Sequence, residues 1–157
     1  MGSPETEGLR WGDISGREMV HRFWLGAIAG CYVGHGETYV HPSNVIWVSR
    51  GGPLRGESPK RIAFLRQILE NGPPRGLTPL DSYYPCAAVE GEYYLYYFDV
   101  HQPARYVFEL PAGGRFRIDL IDPWEMTVTP VEGEFQGKAP VALPGRPYLA
   151  ARIRRSP

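Results

Sequence analysis

The sequence predicts an α+β fold: a short α/β segment over positions 1–74, then a linker and an antiparallel β-sandwich over positions 75–157. Three observations carry that expectation. Apolar residues recur at helical spacing only before Pro74. Beyond it, the apolar positions fall into short runs of strand length with a period of two. The runs are separated by Pro- and Gly-rich turn chemistry, as a meandering all-β segment requires.

The first helix is announced by Ser15 and Glu18, a Ser-x-x-Glu capping box whose hydroxyl and carboxylate satisfy backbone donors left over at a helix start. Met19, Val20, Phe23, Trp24, Ala27 and Ile28 then mark one apolar face, and Gly30 is placed to end the helix. Cys31-Tyr32-Val33 reads as a short buried strand, followed at once by the polar cluster Gly34-His35-Gly36-Glu37-Thr38-Tyr39. A second helix is signalled by Ser58 as N-cap and Pro59 in the first turn. Ile62, Phe64, Leu65, Ile68 and Leu69 supply its buried face, and Gly72-Pro73-Pro74 stop it. Residues 75–88 read as a loop. Strands are expected at 93–100, 105–110, 116–121, 126–130 and 148–153, with a short one at 141–143. Phe116, Ile118 and Leu120 alternate with Arg115, Arg117 and Asp119, the pattern of a half-buried antiparallel strand.

Composition narrows the function classes. Lys plus Arg and Asp plus Glu both number 17 in the 157 residues, so the formal net charge is zero. A nucleic-acid or anionic-membrane partner calls for a basic excess, and neither is predicted. Arg152, Arg154 and Arg155 read as solvated edge charges. Cys31 and Cys86 have no CxxC spacing and read as buried free thiols. No apolar run suits a signal peptide or a membrane span, so the expectation is a cytoplasmic chain. Aromatic residues make up 13% of the chain, enough to serve a core or a ligand.

The candidate chemistry lies in the cluster after the predicted strand, because substrates bind at the C-terminal ends of strands in parallel α/β folds. His35, Glu37 and Tyr39 could point into a pocket there, and Glu37 could bond sugar hydroxyls or act on a glycosidic bond. The alternative is a structural pair tying the strand end to its neighbours. His35, Glu37 and His41 are metal-competent types, but their spacing has no fixed-geometry counterpart, so neither a metal nor any other cofactor is predicted. Trp47 reads as a stacking surface for a sugar or as core. Of the rings of Tyr93, Tyr94, Tyr96 and Tyr97, half must take each face of one strand, and packing on both faces is expected.

Trp11-Gly12-Asp13-Ile14-Ser15, Arg22-Phe23-Trp24, the Gly34–Tyr39 cluster, Gly51-Gly52-Pro53-Leu54-Arg55-Gly56-Glu57-Ser58-Pro59 and Arg61–Arg66 together resemble the end of the barrel in apiosidase-like glycoside hydrolases. Tyr94-Leu95-Tyr96-Tyr97, Ile121-Asp122-Pro123-Trp124, Met126-Thr127 and Leu143-Pro144-Gly145-Arg146-Pro147-Tyr148 are similar to the β-domain of unknown function that follows such barrels. The resemblance implies that the first half is the last strand–helix unit of a (β/α) barrel, with the second half an accessory sandwich. A complete barrel of this kind needs about 250 residues. The resemblance also implies that the catalytic carboxylates sit at the ends of earlier strands. Catalytic residues are therefore unknown, and His35, Glu37, Tyr39 and Trp47 are the expected substrate-binding set. The implied function is a piece of a glycoside hydrolase acting on plant or oligosaccharide glycosides, inactive by itself. The second reading is a stand-alone β-sandwich module binding carbohydrate or protein. The implied partners are a carbohydrate and, at the unpaired strand 31–33, either an upstream barrel segment or a second copy in a homodimer.

Overall fold

The computed structural model describes residues 14–36 and 56–157. Helix α1 spans Gly16–Ile28 and helix α2 Ser58–Glu70. Eight strands follow: β1 Thr78–Leu80, β2 Cys86–Val89, β3 Tyr93–Tyr97, β4 Arg105–Glu109, β5 Phe116–Asp122, β6 Thr127–Pro130, β7 Lys138–Ala142 and β8 Ala150–Arg155. Six form an antiparallel sheet in the order β1-β2-β3-β8-β5-β6, and β4 pairs with β7 in a separate two-stranded sheet.

Local signals place both helices. The Ser15 hydroxyl accepts the Glu18 backbone N–H at 3.2 Å, while the Glu18 carboxylate accepts from Arg22 one turn on, at 2.7 Å. Gly30, at φ +70°, ends α1 in the left-handed conformation that glycine adopts without a Cβ clash. Pro59 sits in the first turn of α2, and the cap falls on Glu57, one residue before the expected Ser58.

The central sheet is covered on both faces, and β3 shows why. Its alternate side chains Tyr93, Leu95 and Tyr97 meet Val20, Trp24, Ile28, Leu65 and Ile68 of the helices. Tyr94 and Tyr96 point the other way, to Phe108, Ala139 and Val141 of the two-stranded sheet. Both faces of the tyrosine strand are thus packing surfaces, as expected. Ala87 and Ala150 also lie on the helical side, where short side chains let the helices approach the sheet. The result is three layers: helices, six-stranded sheet, two-stranded sheet.

Several expectations are corrected. Residues 75–88 are not simply loop, because they contain β1 and β2. Cys86–Val89 pairs with Tyr93–Tyr96 across a tight connection in which Gly91 takes φ +79°. The strand β5 is not half-solvated: Ile121 is fully buried under the helices and Asp119 is only 4% exposed. Nor is 31–33 a strand. Tyr32 is fully exposed, and no described strand lies beside it. A strand needs a neighbour for its N–H and C=O groups; here the Cys31 N–H turns back to the Gly26 carbonyl at 2.8 Å. Val33 packs so close to Gly26 that a Cβ there would lie 2.1 Å from its methyl group. No helix among the described residues is long and apolar enough to cross a membrane.

Candidate functional site

Of the four residues expected to bind substrate, His35 lies within the described residues; Glu37, Tyr39 and Trp47 lie outside them, as does His41. The His35 Nε2 is 3.0 Å from the Ser58 hydroxyl, which is itself fully buried at the start of α2. The next residue, Gly36, directs its backbone N–H at the Met19 sulfur of α1, 3.1 Å away. The segment carrying His35 is therefore tied to both helices.

A second constellation escaped the sequence reading as a site and joins the helices to the sandwich. Between β5 and β6, one Asp122 carboxylate oxygen accepts the backbone N–H groups of Trp124 and Glu125, both at 2.8 Å. Arg146 pairs with the other oxygen at 2.7 Å. The turn so fixed sets the Trp124 ring against two guanidinium groups from different helices, Arg61 at 3.5 Å and Arg17 at 4.3 Å from the ring centroid. Arg61, only 7% exposed, also donates to the Trp124 and Glu57 carbonyls, each at 2.7 Å. The Asp122-Pro123-Trp124 and Leu143–Tyr148 segments, far apart in sequence, are thus two halves of one joint.

A polar chain leads outward from the same interface. His21 of α1 is 3.0 Å from the Tyr97 hydroxyl through Nδ1 and 3.3 Å from the Asp99 carboxylate through Nε2. Its ring is 5.1 Å from that of Tyr148. Asp99 and Tyr148 take φ values of +57° and +64°, which is uncommon for residues with a Cβ. The Tyr148 N–H donates to the Asp99 carbonyl at 2.6 Å. His21 carried no sequence signal.

The arginines of the last strand are not edge charges throughout. β8 lies between β3 and β5, so Arg152 stands over the sheet beside Asp119 at 2.9 Å, with Arg154 also 2.9 Å from the same carboxylate. Asp119 and Asp122 are the two buried carboxylates among the described residues, and arginine partners both. Cys86 is buried as expected, whereas Cys31 is exposed, because the segment that holds it runs outside the sheet. Burial pushes the Cys86 thiol up to about 12. It also raises Tyr93, Tyr96 and Tyr97 above the ordinary phenol range.

The described residues define an antiparallel sandwich capped by two helices. Residues 83–154 match the model of a domain of unknown function, DUF5605. Over 94% of its length the chain is similar, at 32% identity and a TM-score of 0.80, to the crystal structure of a glycoside hydrolase candidate from Bacteroides vulgatus ATCC 8482. It covers 33% of that protein. Two further structures share the fold, each with a TM-score of 0.65. One is described only as a glycoside hydrolase, at 16% identity over 95% of this chain and 39% of its own. The other is a family 5 glycoside hydrolase from the same Bacteroides strain, at 13% identity over 95% of this chain and 38% of its own. The chain therefore spans between a third and two-fifths of the solved structures it matches. No curated protein sequence matches it.

Proposed function

We propose that this chain is the C-terminal part of a glycoside hydrolase of the apiosidase-like kind, acting on plant or oligosaccharide glycosides. On this reading α1, residues 31–36 and α2 close a (β/α) barrel, and the sandwich braces it. The observation that carries the reading is the 32% identity to a third of a glycoside hydrolase candidate, with helices and sandwich matched together. His35, held at the α1–α2 junction, lines the sugar site together with Glu37, Tyr39 and Trp47. The exposed stretch around Tyr32 is where a further part of the barrel, or a second copy of the chain, would pack.

The chain is not a hydrolase by itself. A retaining mechanism needs one carboxyl to protonate the leaving oxygen and another about 5 Å away to attack the anomeric carbon. Arginines engage Asp119 and Asp122, and Glu37 could supply one such group at most. Two measurements test the reading. Across a panel of aryl glycosides the chain is expected to show no turnover above background; turnover that disappears in Glu37→Gln would make Glu37 catalytic and sink the partial-enzyme reading. A chimera in which this chain replaces the matching third of the Bacteroides vulgatus protein is expected to melt in one transition. Two separate transitions would count against a shared architecture.

A further inference from the structure

At one end of the sandwich, two loops present aromatic side chains that the joint with the helices does not use. Tyr83, in the β1–β2 connection, is 82% exposed. It meets the buried Tyr84 nearly at right angles, with ring centroids 4.9 Å apart and planes at 82°. Tyr84 in turn packs edge-on against Phe98 at 5.0 Å, Tyr106 at 5.3 Å and His101 at 5.4 Å. The exposed His101 completes the group, 6.3 Å from Tyr83. The aromatic side chains under Tyr83 are continuous with the core, so the exposed ring has a firm seat.

Both loops are held in place. The Ser82 hydroxyl donates to the Tyr84 carbonyl at 2.5 Å, closing the turn that carries Tyr83. His101 donates its backbone N–H to the Phe98 carbonyl at 3.1 Å. The turn between them contains the left-handed Asp99, whose carboxylate accepts the Val100 N–H at 2.6 Å and faces His21 at 3.3 Å. The contact of the buried His21 with the part-exposed Asp99 thus reaches the turn that carries His101. Local strain held by surrounding structure recurs where a surface is pre-organised for a ligand.

We propose that Tyr83 and His101 form a carbohydrate-binding platform on the sandwich, separate from any site around His35. A pyranose ring presents an apolar C–H face, which suits the flat face of Tyr83, and peripheral hydroxyls, which suit the His101 imidazole and the exposed Ser82 and Gln102. An open surface of this kind admits an internal unit of a glycan chain, where a closed pocket would take only an end. The platform deepens the glycoside hydrolase reading by giving the sandwich a hold on the polymer. The two tests remain separate, since substitution at the exposed Tyr83 leaves the folding of the chimera untouched.

The test uses the full 157-residue chain, titrated calorimetrically with cellohexaose, xylohexaose and mannohexaose and run in native gels containing soluble β-glucan, xylan or mannan. Binding to at least one of the three glycan classes is expected. Tyr83→Ala should weaken it at least about tenfold, as loss of a central aromatic anchor does. His101→Ala should weaken it less, and Tyr83→Phe should retain it. Val128→Ala, at an exposed side chain of β6 outside the platform, should bind like the parent. Failure to bind every glycan, undiminished binding by Tyr83→Ala, or an equal loss in Val128→Ala would each overturn the proposal.

Discussion

Replacing Trp24 by alanine tests whether the helices and the sandwich fold as one unit. Trp24 is fully buried and stacks on Tyr97, with centroids 5.6 Å apart and planes at 24°. Its indole fills the layer between α1 and the central sheet, so truncation leaves a cavity walled by both. Substitutions of this size cost about 3–5 kcal/mol. One feature of the site reduces the loss. The indole N–H has no hydrogen-bond partner among the described residues, and a buried unpaired donor already costs the native state about 1–3 kcal/mol. The expected net destabilisation is therefore about 2 kcal/mol, below that range. For a chain of this length it lowers Tm by roughly 4–8 °C. Trp24→Phe keeps most of the ring and removes the unpaired donor, and should cost about 1 kcal/mol. Thermal unfolding followed by far- and near-ultraviolet circular dichroism should show both signals falling together at the lowered midpoint. If the helical signal is lost early while the aromatic signal of the sheet melts at the parent temperature, the single-unit reasoning is refuted.

Asp119→Ala should lower stability by about 3 kcal/mol in chemical denaturation, because it strips Arg152 of its partner inside the fold; a change within about 0.5 kcal/mol would mean solvent already carries that charge. Thiol titration should find one reactive group in the native chain, the exposed Cys31, and two in denaturant. The raised Cys86, Tyr93, Tyr96 and Tyr97 ionise first in the unfolded state, so their contribution is complete at neutral pH and declines as pH rises through the unfolded thiol and phenol values. Denaturation midpoints should therefore fall steadily above about pH 9; midpoints that stay level into strong alkali would contradict burial of these groups.

The helix starts and stops were legible because they depend on neighbours in sequence: the Ser15 hydroxyl needs only the N–H three residues on, and Gly30 only its own φ. The main strands were legible for the same reason, and Gly113 and Gly145 occupy the left-handed turn positions that their composition suggested. β1 and β2 were missed. Thr78–Leu80 contains a proline and Cys86–Val89 contains two alanines, so neither has intrinsic strand character. They become strands because β3 offers its edge to Cys86–Val89, whose free edge then takes up Thr78–Leu80. The candidate site was legible only in part. His35 stands out by sequence between two glycines, whereas His21, Arg61 and Asp119 look like surface residues until their surroundings are known.

The sequence by itself determined where helices begin and end, which strands alternate, and that helical grammar gives way to β grammar near Pro74. Tertiary structure alone decided strand order, and with it the meaning of the charged residues. β8 comes last in the chain yet lies between β3 and β5, which carries Arg152 from an apparent edge to the middle of the sheet, beside Asp119 from 33 positions earlier. It also decided that the second face of the sheet would be covered by helices, through Trp24 on Tyr97 and Trp124 against Arg17 and Arg61. The physical reason is range. Capping, turn and periodicity energies arise within a few residues, while a buried face or a buried charge acquires its partner only when loops of tens of residues close.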